Sequence, residues 1–125
     1  MKERLTLLQQ TKVISPEAGE ATQIAVGLIG QHLALAPDND QFQMAMTHFA
    51  RAYDRIINHI PVTDGLDQEL LDEILADDAY ESINALHQAI IHQVGLIDVP
   101  AAENSFLLSN LFSLYYAGQE TEGVC

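Results

Sequence analysis

Apolar residues along this chain recur every three or four positions, and the clearest run is residues 40–60, DQFQMAMTHFARAYDRIINHI. Phe42, Ala45, Met46, Phe49, Ala52, Tyr53, Ile56, Ile57 and Ile60 form one stripe, which is the period of a helix packed on one side against others. The pattern predicts a central helix from Asp40 to Ile60. Pro61 should stop it, because proline disfavours helical geometry in the residue before it, and Thr63-Asp64-Gly65 should follow as a turn.

The same period places the other elements. Leu5, Leu7 and Leu8 suit a short helix within Met1 to Gln10. Ser15-Pro16-Glu17 is a strong helix start, with a hydroxyl to cap, a proline at the first helical position and an acid to meet the dipole. The helix it opens should run from Pro16 to Leu35, with Ala21, Ile24, Ala25, Leu28, Ile29 and His32 on one side. Gly27 and Gly30 weaken it and are expected to admit a close neighbour. His32 near its end suits a hydrogen bond or charge at a helix C-terminus. Ala36-Pro37-Asp38-Asn39 reads as a turn. Residues Leu66 to Leu75, LDQELLDEIL, predict an acidic helix with Leu66, Leu70, Leu71, Ile74 and Leu75 inward and Asp67, Glu69, Asp72 and Glu73 outward. That acidic face is either simply solvated or a surface for a basic partner. Asp77-Asp78 should cap a helix from Ala79 to Val94 with Ile83, Leu86, Ile90 and Val94 inside, ended by Gly95. Pro100 should open a last helix through Tyr116, with Phe106, Leu107, Asn110, Leu111, Leu114 and Tyr115 at helical spacing, and Gly118 should end it.

No stretch alternates as a strand does. The expected architecture is all-α, a compact bundle of five to six helices forming one domain over residues 1–118, with residues 119–125 as a flexible tail. A chain of 125 residues is long enough for a buried core and too short for two domains.

Charge narrows the function. Eighteen Asp and Glu against five Lys and Arg give a formal net charge of -13, which repels nucleic acid phosphates and anionic lipid, so direct binding to nucleic acid or a membrane is not expected. No apolar run has the length of a membrane span, and MKERLTLLQQ lacks the apolar segment of a signal peptide. A cytoplasmic protein is expected. Cys125, the single cysteine, cannot form an intrachain disulfide and stands at the last position, a poor place for a catalytic thiol.

Against this acidity, the 40–60 helix carries a second stripe, His48, Arg51, Arg55 and His59, at steps of three and four. The remaining basic residues, Lys2, Arg4 and Lys12, lie in the first dozen positions. An imidazole beside two guanidinium groups suits chemistry with an anion. Neutral imidazole can accept a phosphoryl group, and arginine matches phosphate oxygens with a two-pronged fork. The plainer reading is a solvated face whose arginines pair with carboxylates of a neighbouring helix. His59 near the helix end suits the dipole there, and His87 and His92, five apart, fall on different faces and read as surface or packing residues.

Metal and enzyme signatures are sparse. Residues three before the five histidines are Ile29, Ala45, Ile56, Asn84 and Ala89, so the Glu-x-x-His motif of di-iron bundles is absent, as are His-x-x-x-His, glycine-rich nucleotide loops and the Gly-x-Ser-x-Gly elbow. Neither a metal, another cofactor nor an enzymatic activity is expected. An enzyme or metal protein assembled from dispersed histidines stays open as the weakest alternative.

His48-Phe-Ala-Arg-Ala-Tyr-Asp-Arg55 resembles the signature around the first histidine of the phosphotransferase-system regulation domain (PRD). Glu103-Asn-Ser-Phe-Leu-Leu-Ser-Asn110, following Val99-Pro100, looks like that family's second motif. The likeness spans roughly Ser15 to Ala117. It implies an all-helical regulatory module of bacterial sugar uptake, dimeric, phosphorylated on histidine by phosphotransferase-system components such as a phosphocarrier or a sugar-permease domain. Carried over, His48 is the phosphoacceptor and Arg51 and Arg55 neutralise the phosphate. The family's second histidine is replaced by Asn110, whose amide cannot accept a phosphoryl group, so control from two opposing sites is not implied. The chain lacks the nucleic-acid-binding module that usually precedes such domains and is expected to work free-standing. The alternative is the same fold kept as an interaction or dimerisation module whose His48 is never phosphorylated.

Overall fold

A computed structural model describes residues 2–33, 40–60 and 62–124, with side chains for residues 4–33, 40–60 and 62–117. The expected turn at residues 36–39, Pro61 and Cys125 lie outside the described residues. The chain is all-α. Its helices are α1 (Lys2–Gln10), α2 (Pro16–His32), α3 (Asp40–Ile57), α4 (Gln68–Leu75), α5 (Tyr80–Val94) and α6 (Ala101–Val124), and no strand occurs among the described residues.

Four helices form a square. α2 lies against α3 and α5, and α6 closes the opposite corner against the same two; α1 leans on α2 and α4 on α6. The apolar stripes of the four long helices meet at the centre, where Ile29, Met46, Phe49, Ile83, Leu86 and Leu114 are buried among a larger set of aliphatic residues. A smaller cluster of Leu5, Ile14, Ala18 and Ala50 fastens α1 to α2 and α3.

Helix starts follow the sequence signals. Ser15 Oγ accepts from Ala18 N–H at 3.0 Å, and Asp54 of α3 holds the capping residue by accepting from its amide at 2.8 Å and from its hydroxyl. Asp67 is the N-cap of α4, accepting from Glu69 N–H at 3.1 Å, so this residue closes a helix end rather than standing free on an acidic face. α5 begins one residue later than expected; Asp77 accepts from Ala79 N–H at 2.7 Å in the turn that leads into it.

Helix ends depart more. α3 stops at Ile57, three residues early, because His59 takes φ of 60° and the chain doubles back: His59 N–H donates to Ile56 at 3.2 Å and Ile60 N–H to Arg55 at 2.9 Å. This pair of bonds is the Schellman closure. It recurs at the end of α1 around Lys12 (φ 61°) and of α5 around Gly95 (φ 77°). α6 continues through Gly118 to Val124, so the expected stop at Gly118 does not occur. α2 ends at His32, whose Nδ1 donates to the Leu28 carbonyl at 2.9 Å.

Some residues expected to face inward do not. Ile24, Ile57, Ile60, Leu70 and Leu75 are exposed, and α4 buries none of its residues completely. Gly27 and Gly30 face open space, so they admit no close neighbour. Gly19 and Gly65 do: a Cβ at Gly19 would run into the Gln9 side chain of α1, and one at Gly65 would sit 3.1 Å from Ala102 Cα and 3.0 Å from Ser105 Oγ.

Candidate functional site

The central helix α3 and the start of α6 lie side by side, and the groove between them opens into a cleft of about 200 Å³ lined by His48, Ala52, Arg55, Phe106, Leu107 and Asn110. His48 is exposed at this cleft, and Asn110 faces it from α6. The two segments singled out in the sequence thus contribute to one concavity, since residues 48, 52 and 55 share one side of α3 and 106, 107 and 110 share one side of α6.

Arg55 is not a free cation. Its Nε and Nη2 donate to Glu103 at 2.7 and 2.9 Å, a two-pronged pair with a carboxylate that is completely buried, and donating to Glu103 raises the guanidinium pKa. Glu103 also accepts from Val62 N–H at 3.3 Å. The charge expected to neutralise a phosphate is therefore already matched by an acid, which corrects the reading of Arg55 as a spare positive group. Two of its five N–H bonds are used in this pair, leaving about three still able to donate. Arg51 goes elsewhere: it is exposed and borders a second recess of about 200 Å³ with Val13, Asp54, Asn58 and Ile60, which meets the His48 cleft at Arg55. His48 and Arg51 share a helix side but not a cleft.

The loop between α3 and α4 is tied to the same turn of α6. Leu66 N–H donates to Ser105 Oγ at 3.0 Å, and that hydroxyl donates to the Ala102 carbonyl at 2.7 Å. Glu103 and Ser105 together hold this loop from both ends.

His87 was not singled out for chemistry. It is buried, with Nε2 donating to Asn104 Oδ1 at 2.6 Å, and burial lowers its pKa. It lines a small internal void with Met46 and Phe49 that Asn110 also borders, so Asn110 stands between His87 and the His48 cleft. His59 serves the α3 closure, and His92 is exposed on α5. Among the described residues no three His, Cys, Asp or Glu side chains converge as metal ligands would. None of their helices is long and apolar enough to cross a membrane.

No family model matches the chain, and no solved structure does. Over 120 residues it is 31% identical to YhfY of Escherichia coli (strain K12), itself an uncharacterized protein, and the match covers 96% of this chain and 98% of that one. The chain belongs to the YhfY family. Because YhfY aligns over nearly its whole length, the likeness covers the helical bundle with the segments that carry His48, Arg55, Glu103 and Asn110.

Proposed function

We propose that this member of the YhfY family is a cytoplasmic regulatory module of the PRD type that accepts a phosphoryl group on His48 from a phosphocarrier or sugar-permease domain of the phosphotransferase system. The single observation that supports this most is the cleft in which His48 and Arg55, from the first motif-like segment, meet Asn110, from the second. An exposed imidazole nitrogen attacks the phosphorus of a phosphorylated donor; the N–P bond forms, the donor's bond to phosphorus breaks, and the ring gives up its proton to solvent. The free N–H groups of Arg55 and the Asn110 amide are the donors within the cleft for the phosphoryl oxygens. Arg51, on the next recess, contributes at most a distant field. The state is read out through a homodimer or a partner, without direct contact to nucleic acid.

Phosphoenolpyruvate and the general phosphotransferase components supply the test. The intact mass should rise by one phosphoryl group, and the gain should vanish in His48→Ala. An unchanged mass beside a control acceptor that does become phosphorylated overturns the reading.

A second reading draws on the Arg55–Glu103 pair. With its one cleft arginine already neutralised, the domain is an interaction or dimerisation module that never takes phosphate. On this reading His48→Ala leaves oligomeric state and partner binding unchanged.

A further inference from the structure

Beside α4 the bundle carries an open groove of about 490 Å³, on the face of α6 next to the one that lines the His48 cleft. Leu70 and Ile74 of α4 and Phe112 and the Tyr116 ring of α6 supply its apolar surface, and Glu73 and Asp77 also line it, Asp77 accepting a hydrogen bond from the Tyr116 hydroxyl. Leu70 is 50% exposed and Tyr116 45%. An amphipathic helix gains stability by covering its apolar stripe, yet α4 covers its own only in part and buries no residue completely.

Charge says what kind of molecule fits. No Lys or Arg follows Arg55 in the sequence, whereas twelve of the eighteen Asp and Glu do. The groove is built largely from that cation-free part of the chain. An acidic or phosphorylated occupant would be repelled, and a second copy would bring another charge of -13 against it. A helix of about 12 Å lies alongside the eight residues of α4, and helix-in-groove recognition uses apolar anchors at three- and four-residue spacing.

We propose that the α4–α6 groove docks a basic amphipathic helix of another protein, with aliphatic anchors laid on Leu70, Ile74 and Phe112 and lysines or arginines set against Glu73 and Asp77. The site stands apart from the His48 cleft and needs no phosphorylation, so its test is independent of the preceding one.

The probe is a labelled model helix with leucine at helical spacing and lysine elsewhere, titrated by fluorescence anisotropy with the whole protein. A same-charge peptide lacking leucine and a leucine/glutamate helix serve as comparisons. Saturable one-to-one binding is expected for the leucine/lysine helix alone. Leu70→Gln and Glu73→Lys should each weaken it about fivefold, in keeping with the modest worth of exposed contacts, while Glu20→Lys on α2 leaves it unchanged. Both groove substitutions fall on exposed side chains, and circular dichroism checks that the bundle persists. Equal binding of the leucine-free peptide, or an equal loss in Glu20→Lys, would reduce the effect to bulk attraction and overturn the proposal. So would a dimer in sedimentation that Leu70→Gln dissociates while peptide binding is unaffected, since the groove would then belong to a second copy.

Discussion

A carboxylate with no exposed surface costs several kcal/mol unless a partner and further hydrogen bonds compensate it. Glu103 has both, in the fork of Arg55 and the amide of Val62. Arg55→Leu would leave that charge unpaired, and the expected loss is about 3 kcal/mol, at the lower end for a broken buried pair because the arginine side is partly wet. Arg55→Leu with Glu103→Leu should recover much of it. Urea unfolding of the three proteins measures the difference. His87 gives a second residue-level expectation. Its folded pKa lies below the ordinary value near 6.5 because burial disfavours the charged ring. The unfolded chain therefore binds the extra proton first, and stability that is complete above about pH 6.5 falls as the pH drops below it. Urea midpoints between about pH 7.5 and 5.5 should decline in the native protein and flatten in His87→Gln, which keeps a hydrogen-bonding group near Asn104. That Arg55 pairs with a carboxylate of a neighbouring helix is the plainer reading of the sequence; which carboxylate, and the partner of His87, were not legible there. Arg55 and Glu103 are 48 residues apart, and pairing over that distance is a property of the fold. What could have flagged His87 is its place in the apolar period of α5, four residues after Ile83 and one after Leu86.

Single helices show where local pattern suffices and where it fails. All six described helices begin within two residues of the expected start, because caps and prolines act on the nearest turn. The ends are less readable. α3 closes on His59 in the left-handed region, a geometry that favours glycine, and no glycine marks it. Replacing that histidine by glycine removes the clash between Cβ and the following carbonyl, and His59→Gly should raise stability by about 1 kcal/mol. Gly95→Ala should lower it by a similar amount at the equivalent position of α5. Thermal unfolding compares the two. Periodicity also misjudged α4: it identified the apolar side of the helix correctly, but what covers that side depends on α6, thirty residues further on. The cleft fared better. His48 and Asn110 were both marked by sequence likeness, and folding brings their helices together, while Arg51 drifts to the neighbouring recess.

At the scale of the whole molecule, the net charge of -13 opposes compaction, and among the described residues one ion pair offsets it. Salt shortens the range of this repulsion, from about 14 Å at 0.05 M to about 4 Å at 0.5 M. The melting temperature should therefore rise by a few degrees over that interval, opposite to a protein held together by surface ion pairs. A melting temperature that falls with salt would refute this. The imbalance is also lopsided. All five Lys and Arg lie in α1, the turn after it and α3, and the layer of α5 and α6 with α4 on its flank holds none. Such a body behaves as an electric needle in solution: a charged visitor is swung into alignment while still several ångströms away, so the protein selects the angle of approach before any side chain is touched.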